Sequence, residues 1–419
     1  MPSSITLLTA AIAAAVQAAP LDVEPVRPRI GYTVSTPLTL SPKSLNLNPA
    51  FSLAYPYVKY NAVQPAVVKA AVVKQQQKAA KQKGSATITP EPVDVEYLVP
   101  VNVNGQTLNL VLDSGSSDLW VFSDLMPAAQ QTGHAIYKTD SSKILNGEKY
   151  DVSYGDGSYS RGLVYKDKVT IGGVTFNSQA VEAAQSVSQS FLNHIDADGL
   201  IGLSFTALNT VRPTQQKTFF DNVKSSLAQP LYAVMLKNRG QNALTTDHIG
   251  SLDFGFINRT KYVGDLHWTP VKPANAGFWQ FSILRYAING TTFKMSTGSF
   301  NTIVDTGTSL SYLPSEIIKA YYAKVKGAGV DSNWGGYTFP CDSTLPPMGV
   351  WINGRKFGIR PKYINWQQIN ATHCLGGVQS SSNLPFAILG DTFSKGFYVI
   401  FDQRQSTPRV GLARQNPNL

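Results

Sequence analysis

"LVLDSGSSDLW", Leu110 to Trp120, carries a hydrophobic run straight into an aspartate and a hydroxyl-flanked glycine. The apolar residues before Asp113 read as a strand, and the residues after it read as a turn. Gly115 permits a tight turn and leaves its N–H unscreened beside the carboxylate. Ser114 and Ser116 offer hydroxyls that can bond the carboxylate or an opposing loop. Taken alone, such a triplet is a turn former. The chain repeats it, however: "TIVDTGTSLSYL", Thr302 to Leu313, sets Asp305 before Thr306, Gly307 and Thr308. Each copy is followed at similar spacing by a second shared motif, "ADGLIGLSF" in the first half and "FAILGDTF" in the second. Two matched pairs in the same order imply two lobes of one topology, with a boundary near residue 265.

Two aspartates facing each other across a pseudo-twofold axis cannot easily both ionise. They share one proton and titrate in two separated steps. The ionised carboxylate can then take a proton from water while its protonated partner polarises a carbonyl, with no covalent intermediate.

The rest of the chain frames this site. At 419 residues, 43% hydrophobic and 15% charged, it has the composition of a globular protein. Short alternating runs rich in Val, Thr, Tyr, Phe and Gly predict mostly strand, with few helices: around 314–325, 218–227 and 140–145. The opening "MPSSITLLTAAIAAAVQAAP" reads as a secretory signal over residues 1–18, cleaved near Ala18 or Ala19. No later stretch approaches the roughly 20 apolar residues that span a bilayer, so no membrane partner is expected. Residues 19–83, rich in Pro, Ala, Val, Lys and Gln, read as a basic pro-segment, followed by catalytic lobes at 84–264 and 265–419. The pro-segment holds nine basic and two acidic residues, and so most of the formal charge of +10. A nucleic-acid partner is therefore not needed to explain the basicity.

Cys341 and Cys374 suit an oxidising route, and paired they would close a loop worth roughly 3–4 kcal/mol. Sequons at Asn258, Asn289 and Asn370 agree with that compartment. The chain has no H-E-x-x-H, no G-x-S-x-G, and five histidines without ligand spacing, so neither a metal nor a cofactor is expected.

"DSGSSDLWV" and "DTGTS", together with "SYGDGS", "DGLIGL", "AILGDTF" and the closing "YVIFD…VGLA", resemble the motifs of the pepsin family of aspartic proteases. The layout is most similar to secreted fungal enzymes of the aspergillopepsin or penicillopepsin type, from about Gly84 to the end. The resemblance implies an all-β, bilobal fold with a deep cleft and a β-hairpin flap. It also implies an acid endopeptidase acting on polypeptides as a monomer. Asp113 and Asp305 would be the dyad, Gly115 and Gly307 would keep it close to substrate, and Ser116 and Thr308 would bond it from outside. Ser114 stands where the family usually has threonine and keeps the hydroxyl for a bond between lobes.

The flap is also legible from its own residues: "EKYDVSYGDGSYSRGLVYKDKV" alternates around a Gly-Asp-Gly-Ser tip, a hairpin signature. Tyr154, Gly155, Asp156 and Ser158 would lie over an extended peptide. By resemblance, Tyr154 would bond the indole of Trp120. Asp156 would sit near the pocket for the residue before the cleaved bond, admitting lysine besides large hydrophobic side chains. "YVKYN" resembles the zymogen element whose lysine lies between the two aspartates, which assigns Lys59, with Tyr60 beside it, to inhibition by the chain's own pro-segment. The competing reading is a non-catalytic binding or inhibitor protein on the same scaffold. Retention of Asp113, Asp305 and Tyr154 argues against it. Secretion to the medium is expected rather than vacuolar delivery.

Overall fold

A computed structural model describes residues 63, 65–68, 70, 81–239, 249–273 and 277–419. The chain divides into two units, Met1–Lys81 and Gln82–Leu419. Lys59 and Tyr60 belong to the first and lie outside the described residues.

Across the second unit the alternating segments form strands, as their pattern predicts, and among the described residues they assemble into sheets of 13, eight and four strands. The strand that delivers the first aspartate, Gln106–Asp113, pairs antiparallel with Tyr97–Val103 and parallel with Gly199–Gly202, with Asp113 opposite Gly202. In the eight-stranded sheet, Phe300–Val304 leads to the second aspartate and runs parallel to Ala387–Leu389. Each parallel partner is one of the repeated motifs. The short strands after the aspartates continue the correspondence. Leu119–Val121 is antiparallel to Gly199–Gly202 and parallel to Val174–Val187, while Ser311–Leu313 is antiparallel to Ala387–Leu389 and parallel to Val378–Ser380. The repeat in the sequence is thus a repeat of strand topology.

The two lobes are joined by shared sheet. Leu231–Met235 lies between Gly250–Phe254 and Phe397–Asp402, so a strand of the first lobe is paired by one from the chain's last third. Arg409–Gln415 follows, and beyond it Tyr262–Pro270, whose pairing shifts register between Val263 and His267. One hydrophobic core continues through both lobes, from Ile88 and Val99 to Val399 and Leu412.

Helices are few and short, as expected of this composition. Ser315–Tyr322 buries Ile317, Ile318, Tyr321 and Tyr322 on one face. Phe219–Val223 is capped by Thr218, whose hydroxyl accepts from the Asp221 amide. Asp140 caps a single 3-10 turn, Ser141–Lys143. Helices at Gln189–Asn193, Pro361–Ile364 and Asp391–Ser394 were not foreseen, because four or five residues show no helical periodicity.

Cys341 and Cys374 form a disulfide, with their Cα atoms 5.0 Å apart. It pins the end of Gly336–Pro340 to His373–Gly376 in the four-stranded sheet. Replacing both cysteines by serine is expected to cost roughly 3–4 kcal/mol, because the loop released to the unfolded chain is about 34 residues long. A urea midpoint that does not fall would show that the bridge adds nothing to the sheet.

Candidate active site

Asp113 and Asp305 stand at matching strand ends, 5% and 7% exposed. Each carboxylate is held in the same way. The Gly115 amide donates to Asp113 Oδ1 at 2.6 Å, and the Gly307 amide to Asp305 Oδ1 at 2.9 Å. The Ser116 hydroxyl donates to Asp113 Oδ2, and the Thr308 hydroxyl to Asp305 Oδ2 at 2.5 Å. The outer hydroxyls thus fix each carboxylate plane from the side away from its partner.

The two loops also hold each other. The Ser114 amide donates to Thr306 Oγ1 at 3.1 Å, and the Thr306 amide to Ser114 Oγ at 3.0 Å. Each hydroxyl then donates to a carbonyl of the other lobe: Ser114 to Val304 at 3.1 Å, Thr306 to Leu112 at 2.8 Å. Serine serves here as well as the threonine usual in the family, since only the hydroxyl is engaged. A Cβ added to Gly115 would lie 2.6 Å from the Asp305 carboxyl carbon, and one on Gly307 2.5 Å from Asp113 Oδ1. Each glycine therefore lies against the opposite aspartate, where any side chain would collide with it.

This proximity sets the electrostatics. Burial first, and then the charge of Asp305, push the Asp113 carboxyl well above the ordinary carboxylate range. Hydrogen bonds from Ser116 and Gly115 oppose the shift without cancelling it.

A rigid base supports the loops. The Leu203 amide donates to the Asp113 carbonyl at 2.7 Å, and the Leu203 carbonyl accepts from Tyr232 Oη at 2.8 Å and Trp279 Nε1 at 3.1 Å. Both aromatics are fully buried, so one carbonyl satisfies both polar tips. In the second lobe the Asp391 amide donates to the Thr308 carbonyl at 2.8 Å.

The flap is a hairpin of Ile144–Ser153 and Tyr159–Ile171. At its tip the Asp156 carboxylate accepts from the Ser158 amide and hydroxyl at 2.9 and 2.7 Å, and Gly157 takes φ +86°. Gly155 and Asp156 are exposed, whereas Ser158 is buried. Trp120 Nε1 donates to the Tyr154 hydroxyl at 2.8 Å, as the resemblance implies, which leaves the phenol proton free to be donated. Burial, with the charge of Asp113 next, keeps that phenol protonated by pushing its pKa well above 10.

Sequence reasoning missed several residues around the flap. Phe191 packs edge-on against both Trp120, at 4.8 Å, and Tyr154, at 5.8 Å between ring centroids. It sits on a five-residue helix with no periodic signal. Asp118, inside the motif quoted for Asp113, forms a second buried carboxyl pair with Glu182, the residue opposite Trp120. Asn209 Nδ2 donates to both, at 3.1 and 3.0 Å. The remaining oxygens, Asp118 Oδ2 and Glu182 Oε2, have no other partner. Burial, and then the charge of Asp118, push the Glu182 carboxyl well above its ordinary range, and burial raises Asp118 as well.

The other predicted residues lie away from the dyad. Asn289 and Asn370 are exposed, and Asn258 is half-buried. The side-chain oxygens of Asn258 and Asn370 accept from the amides of Thr260 and Thr372. Among the described residues, no cluster of His, Cys, Asp and Glu could hold a metal ion, and no helix is long and apolar enough to cross a membrane.

A model of the family described as eukaryotic aspartyl protease matches residues 96–415. Penicillopepsin-3 of Penicillium janthinellum is 46% identical over 371 residues, 88% of this chain and 89% of its own. Aspergillopepsin-1 of Aspergillus fumigatus is 42% identical over 420 residues, 99% of each. The crystal structure of the aspartic proteinase from Irpex lacteus aligns with a TM-score of 0.63 and 26% identity, over 80% of this chain and 98% of that one.

Proposed function

Because the chain belongs to the eukaryotic aspartyl protease family and is an aspartic endopeptidase, we propose that Asp113 and Asp305 are its catalytic dyad. The observation that carries this reading is the symmetric hold on two buried carboxylates by loops that reach into each other's lobe. The pair shares one proton. The ionised member takes a proton from a water, which attacks the scissile carbonyl while the other carboxyl protonates the carbonyl oxygen. A tetrahedral diol results, and its collapse returns a proton to the leaving nitrogen. Gly115 and Gly307 admit the peptide close to the dyad, and Ser114 with Thr306 keeps the carboxylates in register.

Tyr154, Gly155, Asp156 and Ser158 form the substrate-facing flap, with Trp120 steadying the tyrosine. Exposed Asp156 supports acceptance of a lysine side chain at the residue before the cleaved bond, beside the large hydrophobic residues that suit an aromatic pocket. The chain is read as residues 1–18 signal, 19–83 pro-segment, 84–264 and 265–419 catalytic lobes, secreted as a monomer. The sequons at Asn258, Asn289 and Asn370 would be its glycosylation sites. Lys59, flanked by Tyr60, pairs with the dyad at neutral pH, and acid releases it by protonating the carboxylates.

Acidifying the purified proform to about pH 4, where one carboxyl of a coupled pair is still ionised, tests this. The expected result is loss of roughly 65 residues, the span of the proposed pro-segment, together with new cleavage of a protein substrate. An intact and inactive chain that stays inactive after the pro-segment is removed by an added protease would overturn it.

A further inference from the structure

Charge is divided unevenly along the proposed catalytic region. Residues 84–264 carry thirteen basic and seventeen acidic side chains, whereas residues 265–419 carry fourteen basic and seven acidic. Several cations of the second group have structural partners: Lys395 pairs with Asp94 at 2.9 Å, and Arg404 and Arg409 pair with Asp402 at 2.9 and 2.7 Å. Four others do not. Arg355, Lys356, Arg360 and Arg414 line one concavity of about 310 Å³, and among the described residues no carboxylate lies within 4.0 Å of their charged nitrogens.

The concavity is built where two sheets meet. Arg355 and Lys356 lie on the edge strand Arg355–Ile359 of the eight-stranded sheet, and Arg360 follows it. Arg414 stands opposite Phe397 on the 13-stranded sheet. Phe357 and Phe397, packed edge-on at 5.4 Å, join the two sheets beneath the cations. The Arg355 guanidinium is partly engaged by the Asp265 carbonyl at 3.1 Å, whereas Arg414 and Lys356 are exposed. Lys362 continues the positive field, its pKa lowered by burial and by Arg360.

The chemistry of the occupant follows from the setting. An aspartic dyad works in acid, where ordinary carboxylates, with pKa values of about 4, lose charge, while guanidinium groups keep theirs. Phosphate and sulfate esters stay anionic there, and arginine pairs with such oxyanions bidentately. Four cations from two segments exceed what one phosphoryl group requires, which favours a polymer with repeated charge. Phe357 and Phe397 are 4% and 8% exposed and offer no face on which bases could stack, which argues against a nucleic acid. We infer that this concavity is a docking site for an anionic polysaccharide bearing phosphate or sulfate esters, by which the enzyme is held on a charged matrix.

Activated enzyme would be titrated at pH 4 against dextran sulfate, a phosphomannan, polygalacturonate and polyuridylate. Binding to either ester polymer, at least about tenfold tighter than to polygalacturonate, is expected from the lower pKa of the esters. The double variant Arg360→Gln/Arg414→Gln should weaken that binding at least about tenfold and lower its salt dependence by about two ions. Peptide hydrolysis should be unchanged, which also shows that the variant folds. Lys319→Gln/Lys324→Gln, the same loss of charge elsewhere in residues 265–419, should leave binding within about twofold. Equal weakening in both variants, or none in the first, would overturn the site. Polyuridylate binding as tightly as the polysaccharides would overturn the ligand.

Discussion

Asp113→Asn is expected to lower kcat by about 10⁴-fold or more, and Asp305→Asn by a similar factor, because each removes one half of an acid–base pair. The double variant should be no worse than either single one, since the carboxylates act as a unit. The fold should survive. Asp113 is already biased towards its neutral form by burial and by Asp305, and asparagine is a neutral isostere whose oxygen can keep the Gly115 bond while its amide donates to the Ser116 hydroxyl. Melting temperatures at pH 5 should therefore equal or exceed that of the unaltered enzyme. Residual activity above about one part in a hundred would remove Asp113 from the dyad.

Between pH 5 and pH 8 the protein should lose stability steeply. Burial, with the charge of Asp196 second, raises Glu91 to about 7. Burial, with the charges of Glu91 and then Asp156, raises Glu96 to about 8. Asp113, Asp118 and Glu182 are shifted the same way, chiefly by burial. A carboxyl whose pKa is higher folded than unfolded contributes its full stabilisation below the unfolded value, and this is lost as pH rises through the folded one. The window therefore opens above about pH 4.5 and closes near pH 8 for Glu96. At about 1.4 kcal/mol per pKa unit, the loss amounts to several kcal/mol, or a fall in Tm on the order of 10 °C. Asp402 works in the opposite direction: although burial opposes it, bonds from Arg404 and Arg409 hold its pKa down, so its contribution persists well into acid. Scanning calorimetry of Glu96→Gln should show a flatter decline between pH 7 and pH 8. A Tm that stays level from pH 5 to pH 8 would contradict the argument, as would an unaltered slope in the variant.

The dyad, the flap tyrosine and the duplicated strand pattern were legible because each is written locally, as an aspartate at a strand end or a turn inside an alternating hairpin. Phe191, Glu182 and Asn209 were not, because their roles arise from contacts between segments dozens of residues apart. Asp118 sat in plain view inside the first motif, but nothing nearby disclosed that its partner would be another carboxyl. The sharing of one sheet by both lobes was equally hidden. Alternation specifies which face of a strand is buried, and does not name its neighbour.

That shared sheet bears on when the enzyme can exist. Leu231–Met235 gains its second partner only from Phe397–Asp402, a segment synthesised long after it. Until that strand emerges, the first lobe lacks one wall of its sheet. A growing chain of this protein therefore carries no finished cutting site, and nascent neighbours are safe from it during translation. A copy truncated before residue 397 should expose an unpaired strand edge and be cleared or aggregate rather than digest its surroundings.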